Sequence, residues 1–425
     1  VGVENPEKLI SEIWNILHNA QKISENILLN ENIYAINYRN MQLIVVEVPR
    51  AARQNRPVYL GRDMFTGTYR RSGEGDYRCK REEILAMLRD QTEDVTINNT
   101  KHSPTLNLNG YTLTGHITVT DLNKAGLTFT LCNAKGEDDY NPADGGGKLT
   151  SESGTLLVTN GQTSKPDNTT VKLQGVTLDG STLTGSTRGV YTGNNTNLVL
   201  KDTTISNMTY TSTDHGAGIR FGGAGVLEAD GCTFANNRVE SNCYGGAIFM
   251  NSASSKATIT NSTFTNNYAR NVGGAMFLNS HTITLRGNTF AGNSTSDRGG
   301  AIYMQPRINT EKAESKKYGA YDVVLENNTF ENNTAYSAGG AICVDPGNID
   351  MTYLIDGCTF KNNCSSANAG GAVYQYNGTL TLGTGNLFKE NKSYSGGSGM
   401  YVGGNLYSVR DQSRRPSGLR KTNLI

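Results

Sequence analysis

Three arginines sit where a phosphate group could be held. Arg70, Arg71 and Arg78 flank Ser72-Gly73-Glu74-Gly75. A guanidinium fork matches two phosphate oxygens, and glycine lets the backbone come close. The same residues also read as a solvated strand end with local ion pairs to Glu74 and Asp76. No Walker spacing is present, so nucleotide hydrolysis is not indicated. Carboxylates for acid–base work or Ca²⁺ binding are sparse. Glu137-Asp138-Asp139 is the one run of adjacent acids after residue 95, and Gly145-Gly146-Gly147 follows it, so it reads as a surface loop. The 7 cysteines include no Cys-x-x-Cys and only 5 histidines accompany them, so a structural zinc site is not expected, nor any other metal or cofactor. Cys358 and Cys364 are close enough in sequence to pair; otherwise free thiols are expected.

The elements that must carry these residues change character near residue 95. Beyond it, helix signals vanish and a repeat begins. Cys232-Thr233-Phe234 recurs as Ser262-Thr263-Phe264, Asn288-Thr289-Phe290, Asn328-Thr329-Phe330 and Cys358-Thr359-Phe360, with Leu387-Phe388 a looser copy. The Phe spacings are 30, 26, 40, 30 and 28 residues. Polar turn residues follow each Phe: Asn236-Asn237, Asn266-Asn267, Gly292-Asn293, Asn332-Asn333 and Asn362-Asn363. A second signature then appears, Gly245-Gly246-Ala247-Ile248, and returns at 273–276, 299–302, 339–342 and 370–373. Upstream, Val176, Ile205 and Phe234 stand 29 residues apart. The 40-residue interval holds charged, unpatterned Arg307–Lys317, which reads as a loop inserted into one repeat.

A unit this short cannot bury its own apolar face, but stacked copies can. Two or three short runs per 26–30 residues fit one turn of a right-handed parallel β-helix, with Phe on Phe and the aliphatic residue after Gly-Gly-Ala pointing inward. The expected fold is mainly β: a right-handed parallel β-helix solenoid of about ten or eleven coils over residues 96–405, preceded by a small truncated α+β domain over 1–95. A basic, disordered tail is expected over 406–425, where five basic residues face Asp411. A β-propeller is the alternative, but its blades need about 40 residues or more. The 49 Gly and 47 Asn of 425 residues then mark turns, Asn through side-chain ladders and left-handed backbone. Asp214-His215-Gly216 resembles a glycosidase motif superficially, but it takes the place of the turn before Gly-Gly-Ala. Asp230 and Asp356 match in position, yet Thr260, Arg286 and Glu326 interrupt any acidic ladder. Cys232 and Cys358 share one repeat position, which suggests buried packing. The sequons at Asn261, Asn327 and Asn332 are accounted for as turns.

The first 95 residues mix signals. Asn5-Pro6-Glu7 caps a helix with apolar spacing through Leu17. Ile33–Tyr38 and Met41–Val48 read as strands around an Arg39-Asn40 turn, Val58–Leu60 and Thr68–Arg70 as short strands, and Arg81–Arg89 as a short helix. Residues 50–81 carry nine basic against three acidic residues. No run of 18 apolar residues exists to span a membrane as a helix. The chain opens at Val1 with no leader pattern, which reads as an internal fragment.

Two resemblances follow. Phe264-Thr265-Asn266-Asn267 with Gly273-Gly274-Ala275-Met276 is similar to the repeats of polymorphic outer-membrane proteins and related bacterial β-helix adhesins. Leu106–Leu113 resembles the opening coil of the wider pectin-lyase-like group. Val46–Arg50, Arg56–Tyr59 and Thr68–Cys79 resemble the second half of a Schlafen-AlbA-like domain, whose first half would precede Val1. The first likeness implies a non-catalytic, adhesin-like scaffold binding a glycan or a host or cell-surface protein. It also admits a polysaccharide lyase or glycoside hydrolase. The second implies DNA or ATP binding, with nucleic acid as partner and Arg70, Arg71 and Arg78 as contacts. A surface half joined to an intracellular half leaves the compartment open, with gene fusion or a mis-joined reading frame as the explanation to test.

Overall fold

The structure is a computed structural model. It describes residues 2–39, 41–49, 51, 56–72, 75–89, 94–97, 103–120, 127–134, 146–151, 154–160, 169–181, 185–193, 195–252, 254–280, 282–305, 322–347 and 351–408. The Glu137–Asp139 acids, the Arg307–Lys317 loop and the basic tail beyond 408 lie outside the described residues. The chain divides into two compact units, Val1–Glu93 and Asp94–Ile425.

In the first unit the helix runs Pro6–Leu17, and Asn5 caps it by accepting from the Lys8 N–H at 3.1 Å. Strands Ile33–Tyr38 and Met41–Val46 form an antiparallel pair, and Arg81–Arg89 is helical. Two expectations change here. Val58–Leu60 forms no strand; Leu60 makes a single bridge to Ile23. In place of a short strand over Thr68–Arg70, Tyr69–Ser72 pairs antiparallel with Gly75–Arg78, because the stretch after Arg70 continues the strand as far as Ser72.

The second unit is a parallel β-solenoid. Among the described residues the first coils pass through three sheets, and the coils from Thr209 onward through four. One holds the Phe strands, such as Thr263–Thr265; one the strands after the glycine pair, such as Met276–Asn279; a third holds strands such as Lys256–Thr260. Among the described residues these sheets contain 10, 11 and 11 strands. The fourth contains 7 two-residue strands, such as Tyr268–Ala269, too short to stand out in the sequence. The solenoid starts with Asp94–Ile97 and its last described strand is Asn405–Ser408, which pairs with Thr379–Leu382. That strand extends the ordered coil past residue 405.

Stacking follows the motif. Phe234, Phe264, Phe290, Phe330, Phe360 and Phe388 lie ring on ring, with centroids 4.7–4.9 Å apart. The first five are fully buried, each contributing about 1.5–3 kcal/mol. Ile248, Met276, Ile302, Ile342 and Val373 are buried in the same core, as their place after Gly-Gly-Ala requires. Upstream, Ile205 pairs with Leu178 rather than Val176, because that coil is two residues shorter than a 29-residue spacing assumes.

The second and third residues after each Phe divide the work. The former takes a left-handed conformation, with φ of 57°, 54°, 58° and 54° at Asn236, Asn266, Asn332 and Asn362. The latter is fully buried and builds a ladder. Asn267, Asn293, Asn333 and Asn363 each donate one side-chain N–H to the next ladder Asn at 2.9–3.0 Å and another to a Phe carbonyl at 2.9 Å. A buried amide with every partner in place avoids the cost of an orphaned polar group.

A second apolar layer lies outside the sheet after the glycine pairs. Phe249, Phe277, Tyr303, Cys343 and Tyr374 are register neighbours, and Tyr244, Val272, Ala338 and Ala369 from the preceding turns pack on them. These strands are therefore buried on both faces.

Candidate functional site

The outer surface of the short-strand sheet forms a shallow groove of ≈440 Å³ lined by Thr295, Ser296, Thr334, Ala335, Tyr336 and Ser366. Tyr336 is 63% exposed and Tyr394, two strands further on, is 79% exposed. Two strand spacings separate the tyrosine positions by about 10 Å. The sheet fixes their backbones: Tyr336 N–H donates to Thr295 O at 3.2 Å and Tyr394 N–H to Ser365 O at 3.2 Å. At the other edge the Tyr268 and Ser296 hydroxyls bond each other at 2.9 Å, and the Arg238 guanidinium lies 4.0 Å from the Tyr268 ring centre. Hydroxyls and aromatic faces suit a ligand that offers both hydroxyls and apolar C–H faces. None of the lining residues is charged.

Three carboxylates elsewhere on the solenoid, Asp214, Asp297 and Asp345, are paired with arginines. Asp214 lies in a turn, as its repeat position requires, and the turn closes a cluster that no spacing announces. Arg188 is buried and donates to Asp214 at 3.1 Å, His215 O at 2.8 Å and Gly216 O at 2.9 Å. Arg220 donates to the other Asp214 oxygen at 2.8 Å. Burial alone would raise the Asp214 carboxyl, but hydrogen bonds from Arg220 and the His215 backbone, with the charges of both arginines, hold it below the usual range. His215 stacks on Tyr244 and Phe249, with centroids 4.5 and 4.3 Å away, and accepts the Tyr244 N–H at Nδ1 at 3.2 Å. Burial lowers its pKa from the ordinary histidine value. A second cluster joins Arg298 to Asp345 at 3.2 Å and to Asp297 at 3.4 Å, with the Tyr303 hydroxyl on Asp345 at 3.1 Å.

In the first unit all three arginines lie on the one hairpin. Arg70 is opposite Tyr77 and Arg78 opposite Tyr69, so the pleat places Arg70 and Arg78 on opposite faces of the hairpin. Arg70 pairs with Glu83 at 2.7 Å, and Arg78 lies over the Tyr69 ring at 5.9 Å. Arg71 is opposite Asp76 in the register; its side chain lies outside the described residues. All seven cysteines are free, so Cys358 and Cys364 are unpaired. Cys232 and Cys358 are buried at their shared position, and burial pushes the Cys232 thiol up to about 11. Among the described residues no three His, Cys, Asp or Glu side chains gather to hold a metal.

Comparison with known families decides the classification. The family described as right handed beta helix region matches residues 188–406, more than half of the chain. The chain belongs to the right-handed β-helix family. No curated protein and no solved structure matches it. The matched β-helix segment contains the groove, the Phe and Asn ladders and both arginine–carboxylate clusters. The repeats carried the signal for the β-helix; the clusters did not, because each joins side chains from different coils at unrelated spacings.

Proposed function

We propose that the β-helix is an adhesin-like binding scaffold and that the groove of its short-strand sheet takes a surface glycan. The lining carries this reading: one projecting tyrosine, Tyr336, and hydroxyls, with no carboxylate among Thr295, Ser296, Thr334, Ala335, Tyr336 and Ser366, and the exposed Tyr394 two strands further on. A glycosidase needs two carboxyls across the scissile bond, one of them raised to act as acid. The Asp214 carboxyl is instead held low, and Asp297 and Asp345 both pair with Arg298. Binding without glycosidic cleavage suits that chemistry.

The test is a binding screen of the intact chain against neutral and uronate oligosaccharides. Tyr336→Ala combined with Tyr394→Ala should weaken the best ligand by about tenfold or more, equivalent to about 1.4 kcal/mol. Unchanged affinity in that variant would move the site elsewhere, and binding to proteins alone would replace the glycan. Release of reducing or unsaturated sugars would overturn the non-catalytic reading in favour of a lyase or hydrolase.

A further inference from the structure

The first coils of the solenoid hold a hydrogen-bonded chain of three side chains far in sequence from the groove. Asp94 Oδ1 lies 2.9 Å from His116 Nδ1, and His116 Nε2 lies 2.9 Å from Ser151 Oγ. Asp94 opens the strand Asp94–Ile97, His116 opens His116–Thr120, and the two are register partners. Ser151 directly follows the strand Gly147–Thr150. A carboxylate only accepts hydrogen bonds, so the pairing with Asp94 places the imidazole proton on Nδ1. Nε2 is then the acceptor for the Ser151 hydroxyl. The same Asp94 oxygen accepts the His116 backbone N–H at 3.0 Å, which fixes carboxylate and ring together.

Thr150 and Gly154, on either side of the serine, are held by neighbouring strands and turns. Thr150 O accepts from Gly115 N–H at 2.7 Å, Thr150 Oγ1 donates to Asp179 O at 2.9 Å, and Gly154 N–H donates to Ser186 O at 3.1 Å. Gly154 has φ of +88°, and a Cβ there would stand 3.2 Å from His116 Nε2. Glycine therefore keeps the basic nitrogen uncrowded. Ser151 is 5% exposed and the His116 side chain 35%, so a reactant would approach over the imidazole and only a small group would reach Oγ.

We propose that Ser151 is an activated nucleophile for small acyl esters, with His116 as general base and Asp94 as the positioning residue. This goes beyond the glycan reading and does not depend on it. Oγ adds to the ester carbonyl carbon while its proton passes to Nε2. The tetrahedral adduct expels the alkoxide, which takes that proton and leaves as the alcohol. Water then attacks the acyl-serine, giving its proton to Nε2. The acyl C–Oγ bond breaks, the acid leaves, and the proton returns to Oγ. One ester and one water give one acid and one alcohol, and Asp94 stays ionised throughout.

The experiment treats the intact chain with a fluorophosphonate and, separately, with p-nitrophenyl acetate. The expected result is a single phosphonyl adduct mapped by peptide mass spectrometry to Ser151, together with p-nitrophenol release. Both should disappear in Ser151→Ala and in the urea-unfolded chain. His116→Gln should slow labelling about 100-fold or more. Asp94→Ala should slow it less, because that carboxylate is exposed, and Asp94→Asn, which keeps an acceptor, should restore part of the loss. No adduct on the folded chain, an adduct elsewhere, or labelling that survives unfolding or His116→Gln would overturn the assignment. The folded unsubstituted chain decides this even if a variant fails to fold.

Discussion

At Asp179 one carboxylate collects donors from three neighbouring coils. Lys148 pairs with it from the coil before and Asn207 donates at 2.9 Å from the coil after. Ser181 gives its N–H at 2.9 Å and its hydroxyl at 2.8 Å. Burial by itself pushes the carboxyl up, but the hydrogen bonds from Asn207, Lys148 and Ser181 outweigh it and hold the pKa at about 2, against 3.8 ordinarily. A carboxyl depressed in the folded state stabilises the fold fully above its unfolded value, and that stability is lost as pH falls through the folded value. The relevant window is therefore between pH 3.8 and about 2. Asp179→Asn should be less stable than the parent at pH 6, and the gap between them should close as pH falls across that window. Urea midpoints at half-unit pH steps check this; a gap independent of pH would remove the carboxylate's charge as its cause.

Among elements, the glycine pair is the tightest constraint on how coils stack. Gly299 has φ of +69°, and a Cβ on Gly300 would lie 2.0 Å from Gly340 O and 2.6 Å from Thr334 O. Both obstacles are backbone of the next coil, so neither can swing aside. Gly300→Ala should cost about 1–3 kcal/mol or more by forcing the coils apart. Gly347→Ala is the control: its φ is +64° but nothing lies within 4 Å, so only the left-handed conformation is penalised, at about 1–2 kcal/mol. Denaturant midpoints for the two variants should rank in that order, and equal losses would remove the stacking contact as the cause. This element was legible in the sequence because the later coils repeat it: Gly-Gly-Ala returns five times between residues 245 and 372, alternating with the Phe motif, and each copy confirms the others. The outer layer was not, because Phe249 and Tyr303 alternate along their strands as exposed residues would. Their cover comes from turn residues as unlike as Tyr244, Val272 and Ala338. The Ser151–His116–Asp94 chain was missed for a related reason. Its members come from irregular first coils where no motif sets the register.

For the whole molecule, the two units differ in how much apolar surface each hides. In the first, the buried hydrophobic residues among those described are Ile33, Cys79 and Ile84, and the helix Pro6–Leu17 buries none. Five of six positions in Ile33–Tyr38 are exposed. The solenoid instead runs one continuous core from Leu108 to Met400, and an interior coil gains from neighbours on both sides. Local opening should therefore be cheapest in the first unit and most costly in the middle coils, where opening one rung exposes Phe and Asn ladders on two faces. Hydrogen exchange of the intact chain measures this directly. Peptides within residues 6–46 should exchange at least tenfold faster than peptides spanning 256–304, where the Phe264, Phe290, Asn267 and Asn293 ladders lie. Equal protection would mean that the first unit is held by interactions its thin described core does not supply, and that stability is not set by the apolar surface each unit buries.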